Sequence, residues 1–154
     1  MIIRKAQRSD VPAMREIFNE VLRNSNSIYR EEEVTLEERY AWFDEKIEHG
    51  FPIFGAYEGD KLIGYAGYGS WRAAQGYLKT VELTIYVDSS VRGKGTGKAL
   101  MQTIINQATA DGYHVMIGAI DSANQLSIDF HKKFGFVETA RMPEEIGRAS
   151  CKER

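Results

Sequence analysis

Apolar positions in this chain change period several times, and each change marks an element. Ile2-Ile3-Arg4-Lys5 reads as a short first strand. Ser9 stands where it can cap a helix, with Pro12 in the first turn. Behind it, Val11, Met14, Ile17, Phe18, Val21 and Leu22 recur at helical spacing and define one apolar face. Residues 23–34, which include Ser27-Ile28-Tyr29, keep no period. Thr35-Leu36-Glu37-Glu38 fits a capping box, in which the Thr35 and Glu38 side chains satisfy each other's backbone N–H groups. The helix it opens is expected to turn Tyr40, Phe43 and Ile47 inward and to stop at Gly50.

The period then shortens to that of strands. Ile53 to Tyr57 turns at Glu58-Gly59-Asp60-Lys61 into Leu62 to Tyr68, and the Gly-Asp pair marks a hairpin. After a loop from Trp71 to Gly76, a third strand is expected from about Tyr77 to Val87. A glycine-rich segment follows, then a long helix ending near Gly112. His114 to Ile120 carries few charges and reads as a central strand. Asn124 to Phe134 reads as a short helix, and Gly135 to Ala140 as another strand. The order β-α-α-β-β-β-α-β-α-β predicts an α/β (α+β) fold, a mixed sheet with helices on both faces. The antiparallel meander before the glycine-rich segment argues against a doubly wound nucleotide fold.

That segment, Val91-Arg92-Gly93-Lys94-Gly95-Thr96-Gly97-Lys98, carries the chemistry. A strand, a glycine-rich turn and a helix in that order present unpaired backbone N–H groups at a positive helix end, where phosphate binds. Without those flanks a basic glycine loop is an ordinary surface turn. A Walker loop is excluded, because Arg92 stands where its first glycine should be and Ala99 where Ser or Thr should hold magnesium. The dinucleotide fingerprint is excluded too, since Gly93-x-Gly95-x-Gly97 has the wrong spacing and lies past the midpoint of the chain.

Composition changes the picture little. The 154 residues are expected to form one domain, 1–154, with a proper core. A net charge of -2 gives no reason to expect nucleic acid or an anionic membrane as partner. The lone Cys151 excludes an internal disulfide and fits a reducing, cytoplasmic compartment. No signal-peptide core or bilayer-spanning run is present. Three histidines without metal-ligand spacing argue against a zinc site.

Arg92-Gly93-Lys94-Gly95-Thr96-Gly97 resembles the acetyl-CoA pyrophosphate loop of the GNAT acetyltransferases. The resemblance runs over almost the whole chain and is strongest for one branch. Ala41-Trp42-Phe43, Gly64-Tyr65-Ala66, Tyr68-Gly69-Ser70-Trp71-Arg72, Gly76-Tyr77, Thr80-Val81-Glu82 and Ile85-Tyr86-Val87 are similar to the phosphinothricin and methionine sulfoximine N-acetyltransferases. So are Asn124-Gln125-Leu126-Ser127-Ile128, His131 and Gly135-Phe136. The resemblance implies a mostly antiparallel, twisted sheet, a homodimer, and no metal. It also implies acetyl transfer from acetyl-CoA to the α-amino group of a small amino-acid-like substrate. After Gly147 that family continues with a Gly-Arg-Trp segment and an apolar strand. This chain reads Arg148-Ala149-Ser150-Cys151-Lys152-Glu153-Arg154, a polar tail and a poor strand. An exposed sheet edge is expected there.

The resemblance also implies roles for single residues. Glu82 would take the proton that an ammonium must lose before attack, directly or through water. Alternation alone is satisfied by Glu82 pointing to solvent. The backbone of Ile85, Tyr86 and Val87 would meet the thioester oxygen and the pantetheine arm. Loop donors are expected from Lys94 to Lys98, with Arg92 at the loop start. Asn124 would contact the pantetheine arm, cap its helix, or both, with Ser127 nearby. His131, where the wider superfamily often has tyrosine, could act as acid or only hydrogen-bond. Arg72 would clamp the acceptor's carboxylate, while Tyr29, Trp71 and Tyr77 line its pocket. Ala73-Ala74 replace the larger residues expected after Trp-Arg, which leaves the particular acceptor open. Two rival readings also stand open. One is a broader amine or protein N-terminal acetyltransferase, which a carboxylate-binding Arg72 disfavours. The other is a non-catalytic acyl-CoA sensor.

Overall fold

In the computed structural model, residues 1–25 and 27–143 are described. The elements are β1 (Ile2–Lys5), α1 (Val11–Asn24), α2 (Leu36–Glu48), β2 (Ile53–Glu58), β3 (Lys61–Ser70), β4 (Thr80–Val87), α3 (Thr96–Ala110), β5 (Val115–Ile117) and α4 (Gln125–Lys132). The strands lie side by side in chain order. β1 to β4 are successively antiparallel, and β5 joins β4 in parallel.

Local signals place most of the boundaries. The Thr35 hydroxyl accepts from the Glu38 N–H at 3.1 Å and starts α2. Gly50, at φ +78°, ends it, with Gly50 N–H donating to Ile47 and Phe51 N–H to Lys46, the paired bonds of a Schellman stop. Gly59-Asp60 turns β2 into β3. Ser9 does not cap α1. It lies in a 3-10 turn, Arg8–Asp10, and the Asp10 carboxylate takes the Gln7 N–H at 2.7 Å. A carboxylate at the start of the helix serves its positive end as well as a hydroxyl would.

The sheet divides the core in two. On one face α3 lays Leu100, Met101 and Ile104 against Phe54, Ala66, Tyr68, Val81 and Leu83. On the other, Val11, Met14 and Ile17 of α1 and Phe43 of α2 pack on Ile53, Tyr57, Leu62 and Tyr65. Register passes from Ala56↔Gly64 to Tyr57↔Leu62, so Ile63 is an extra residue in β3, a bulge. Ile47 is half exposed rather than inward. Arg39 joins Phe43 on the inward side of α2 instead.

Two strand expectations need correction. The strand expected at 114–120 is only Val115–Ile117, at the sheet's edge rather than its centre. Beyond Ile117 the chain leaves β4, so low charge there reflects a cleft wall and not a central ladder. No described strand forms at 135–140. Phe136 packs on the core, but Val137 is largely exposed, and an apolar run without a ladder partner is not a strand. The tail 148–154, with Cys151, lies outside the described residues. No described helix is long and apolar enough to cross a membrane.

Candidate active site at the splay between β4 and β5

Among the described residues β4 has a parallel partner only at Thr80, Val81 and Glu82. From Leu83 to Val87 its outer edge faces a groove of about 750 Å³ instead of a strand. Residues of alternate faces, Leu83, Ile85 and Val87 with Thr84 and Tyr86, all line it. The groove therefore wraps the strand's edge and reaches both sides of the sheet. Its far wall is Gly118 to Asp121 and α4, and its end is the glycine loop.

The loop meets the geometric demand of a phosphate site. Gly93 and Gly95 lie at φ +83° and +82°, a left-handed conformation that L side chains strain to adopt. The first helical bond of α3 runs from Ala99 N–H to Gly95. Thr96, Gly97 and Lys98 N–H groups thus precede the helix ladder, at the positive end of a 15-residue helix. The Thr96 side chain is buried, so only its backbone is offered. Arg92, Gly93, Gly95, Thr96, Gly97 and Lys98 all line the groove, whereas Lys94 is exposed outside its lining. Volume and donor set suit an extended ligand with a pyrophosphate at one end.

α4 supplies the other wall. Asn124 caps it by accepting from the Ser127 N–H at 3.2 Å, and its amide donates to Ser27 at 3.2 Å. Asn124 and Ser127 both line the groove. His131 is buried, with Nδ1 2.7 Å from the Ser127 carbonyl. A carbonyl only accepts, so Nδ1 carries the hydrogen and Nε2 is left as an acceptor. That nitrogen faces Gly118, where a side chain's first carbon would come within 3.3 Å of it. Burial holds the His131 pKa below its ordinary 6.5, against a weaker upward pull from the Ser127 carbonyl.

The sign of the resulting pH effect is fixed. The unfolded chain binds a proton below about pH 6.5, and the folded imidazole resists it until lower pH. This stability is therefore present above that value and lost as pH falls below it. The unfolding midpoint is expected to drop between about pH 7 and 5, and to drop less in His131→Gln. Thermal melts of both proteins across that range decide it. Parallel curves would remove His131 as a cause.

The structure separates the remaining sequence candidates from the groove. Glu82 is half-buried on β4, one strand repeat before Thr84 and on the same face. Arg72 is exposed and stacks on Trp71, 5.0 Å from the ring centre, and Tyr77 lies exposed in the same segment. None of these lines the groove. Tyr29 donates to Asp121 at 2.6 Å, tying the loop after α1 to the groove wall. The loop is held further by Asn19, whose amide both donates to and accepts from the Val34 backbone.

Three residues that sequence patterns did not single out belong to this region. Asp121 is buried and takes Tyr29 and the Ala123 N–H. Arg39 is buried, donates to the Tyr65 hydroxyl at 2.9 Å and lies 3.8 Å over Trp42. Burial lowers its pKa, and its Nε has no partner among the described residues. Lys46 sits beside Glu82, and burial lowers its pKa also. The spacing of Arg39, Phe43 and Lys46 was a usable signal, because two cations on an apolar helical stripe are expensive to bury without purpose.

A family model described as the acetyltransferase (GNAT) family matches residues 11–136. An L-methionine sulfoximine/L-methionine sulfone acetyltransferase of Pseudomonas aeruginosa is 41% identical over 92% of this chain and 83% of its own length. A phosphinothricin N-acetyltransferase of Streptomyces coelicolor is 28% identical over 95% of this chain and 86% of its own. Among solved structures, a putative acetyltransferase of Salmonella typhimurium with its cofactor acetyl-CoA superposes with a TM-score of 0.91. It is 36% identical and covers 94% of this chain and 84% of that one.

Proposed function

This chain belongs to the GNAT acetyltransferase family, and from that premise we propose that it moves the acetyl group of acetyl-CoA to the α-amino group of a small amino-acid-like acceptor. The acceptor class is L-methionine sulfoximine, L-methionine sulfone or L-phosphinothricin. The observation that carries this reading is the groove, which joins the glycine loop at one end to the unpaired edge of β4 beside Glu82 at the other.

The residues divide the work. Amides at the start of α3 hold the pyrophosphate, assisted by Arg92 and Lys98. The pantetheine arm runs along the unpaired edge of Ile85, Tyr86 and Val87, with Asn124 and Ser127 opposite. Backbone N–H groups on that edge face the thioester oxygen as negative charge develops on it. Glu82 takes the proton from the acceptor's ammonium, and the neutral amine attacks the thioester carbon. The C–S bond breaks, CoA leaves as thiolate, and the thiolate takes the second proton that the attacking nitrogen sheds as it becomes an amide. His131, with its hydrogen held on Nδ1, accepts a hydrogen bond at Nε2 rather than donating a proton there.

Arg72 reads the acceptor's carboxylate from its exposed position. Arg72→Ala is expected to raise KM for amino-acid acceptors about tenfold at near-constant kcat. Steady-state kinetics over acceptor concentration measure it, and an unchanged KM removes the clamp. The function itself is tested by CoA release from acetyl-CoA against methionine sulfoximine, methionine sulfone, phosphinothricin, ordinary amino acids and peptides. Turnover confined to the first three supports the reading. Turnover on peptides or simple amines overturns the acceptor class. Acetyl-CoA binding with no turnover on any acceptor overturns the enzyme reading in favour of a sensor.

A further inference from the structure

Lys46 lies near the end of α2, on the inward stripe with Arg39 and Phe43. Its side chain does not run out to water but bends over β3. A first side-chain carbon built on Gly69 would lie 2.1 Å from the Lys46 Nζ, 3.4 Å from Cε and 4.0 Å from Cδ. The lysine tip therefore occupies the space that any other residue at Gly69 would fill. Gly69 is the register partner of Glu82. Paired residues on antiparallel strands project to the same face, with Cβ positions about 4.5–5.5 Å apart. The ammonium is thus seated beside the root of the Glu82 side chain, and the two charges act on each other.

We propose that Lys46 is a positioning residue for the transfer reaction: its ammonium, seated over Gly69, keeps the Glu82 carboxylate ionised and turned toward the acceptor's amine. This rests on Glu82 being the base.

The alternative job for a cation here, holding the acceptor's own carboxylate, does not fit the space. The void that Lys46 lines with Trp42, Gly67, Tyr68 and Thr84 is about 10 Å³, room for a single water and not for a carboxylate. Lys46 acts through Glu82 instead. A half-buried carboxylate left alone drifts toward its neutral form, and a neutral acid cannot take a proton. An adjacent ammonium reverses that drift. Around the pair stand Glu45 and Arg39 on α2 and Tyr86 on β4, whereas the Tyr68 hydroxyl lies on the other face of the sheet and donates to Asp111. Gly69 and Ile117, the register partners of Glu82 on its two sides, carry no charge. Burial lowers the Lys46 pKa while Glu82 pulls it back up, so each charge supports the other.

The experiment is the pH profile of kcat/KM for the parent, Lys46→Met, Lys46→Arg, Gly69→Ala and Glu82→Gln. Methionine keeps an apolar stem and removes the charge, which lies 5.5 Å from the Phe51 ring centre. Gly69→Ala keeps the charge and displaces it, so one variant serves if the other folds poorly. The acid limb is expected to move up by about one pH unit in Lys46→Met and Gly69→Ala, and to return in Lys46→Arg. Acetyl-CoA affinity should stay within about twofold, since neither residue lines the groove. An acid limb that stays put in both variants overturns the proposal. So does a loss confined to KM for carboxylate-bearing acceptors, which would make Lys46 their receptor. A limb that persists in Glu82→Gln means instead that Glu82 is not the base, and the underlying reading fails with it.

Discussion

Replacing Glu82 with glutamine is expected to lower kcat by about 10²–10⁴-fold while acetyl-CoA affinity changes less than about twofold. The two halves of this expectation come from different observations. An amino-acid acceptor is mostly protonated near neutral pH, and an ammonium has no lone pair to attack with. Glutamine matches glutamate in shape but accepts no proton, so it removes the chemistry and leaves the packing. Glu82 lies outside the groove lining, one strand repeat before Thr84, so the cofactor groove loses no contact. Steady-state kinetics with binding of acetyl-CoA by calorimetry separate the two. Equal rates for parent and variant would end the assignment of Glu82 as base. Parallel losses of turnover and acetyl-CoA affinity would show that Glu82 supports the groove instead.

The second large effect is expected at the other end of the groove. Gly95→Val should weaken acetyl-CoA binding by about 30-fold with kcat at saturation little changed. Gly95 is the residue before α3 and lies at φ +82°. A β-branched side chain in that conformation costs about 1–2 kcal/mol or more, and the chain relieves it by turning the peptide. Turning the peptide re-aims the amides of Thr96 and Gly97, which the phosphate groups need. Nothing within 4 Å of Gly95 would clash with a Cβ, so the loss would come from backbone conformation and not from crowding. Calorimetry with acetyl-CoA gives the affinity and thermal melts give the stability. An unchanged Kd would show that the loop amides do not hold the ligand.

These residues were legible in the sequence to different degrees, for reasons that can be traced. The loop was visible because its requirement is local. A glycine that must take a positive φ, a strand before it and a helix after it are neighbours in the chain. The same holds for Thr35 starting α2, Gly50 stopping it, and Gly59-Asp60 turning β2 into β3. Asn124 as the cap of α4 belongs here too. Glu82 was visible as a charge within an apolar strand, yet alternation could not say which way it pointed. Only the pairing with Gly69, and Lys46 lying over that glycine, puts its side chain on the face of α1 and α2.

Other features needed partners that the chain order hides. A run such as Phe136-Val137 becomes a strand only if another strand offers it a ladder, and no described strand does. Low charge at 114–120 suggested a central position, but the segment borders a cleft, where apolar residues also gather. Arg39 is buried and Lys46 partly so on one side of α2, because stacked rings and a missing side chain made room for them, and Gly69 is far from Lys46 in the chain. Asp121 and Tyr29 are 92 positions apart, and nothing local couples them.

The sequence by itself determined most of the elements, the positive-φ glycines before α3 and the family, since each depends on contacts within a few residues or on motifs read in order. The tertiary structure alone decided where β4 parts from β5, which hydrogen His131 keeps, and which cation stands beside Glu82. Those are relations between distant segments, set by sheet register and by the space that one small residue leaves for another.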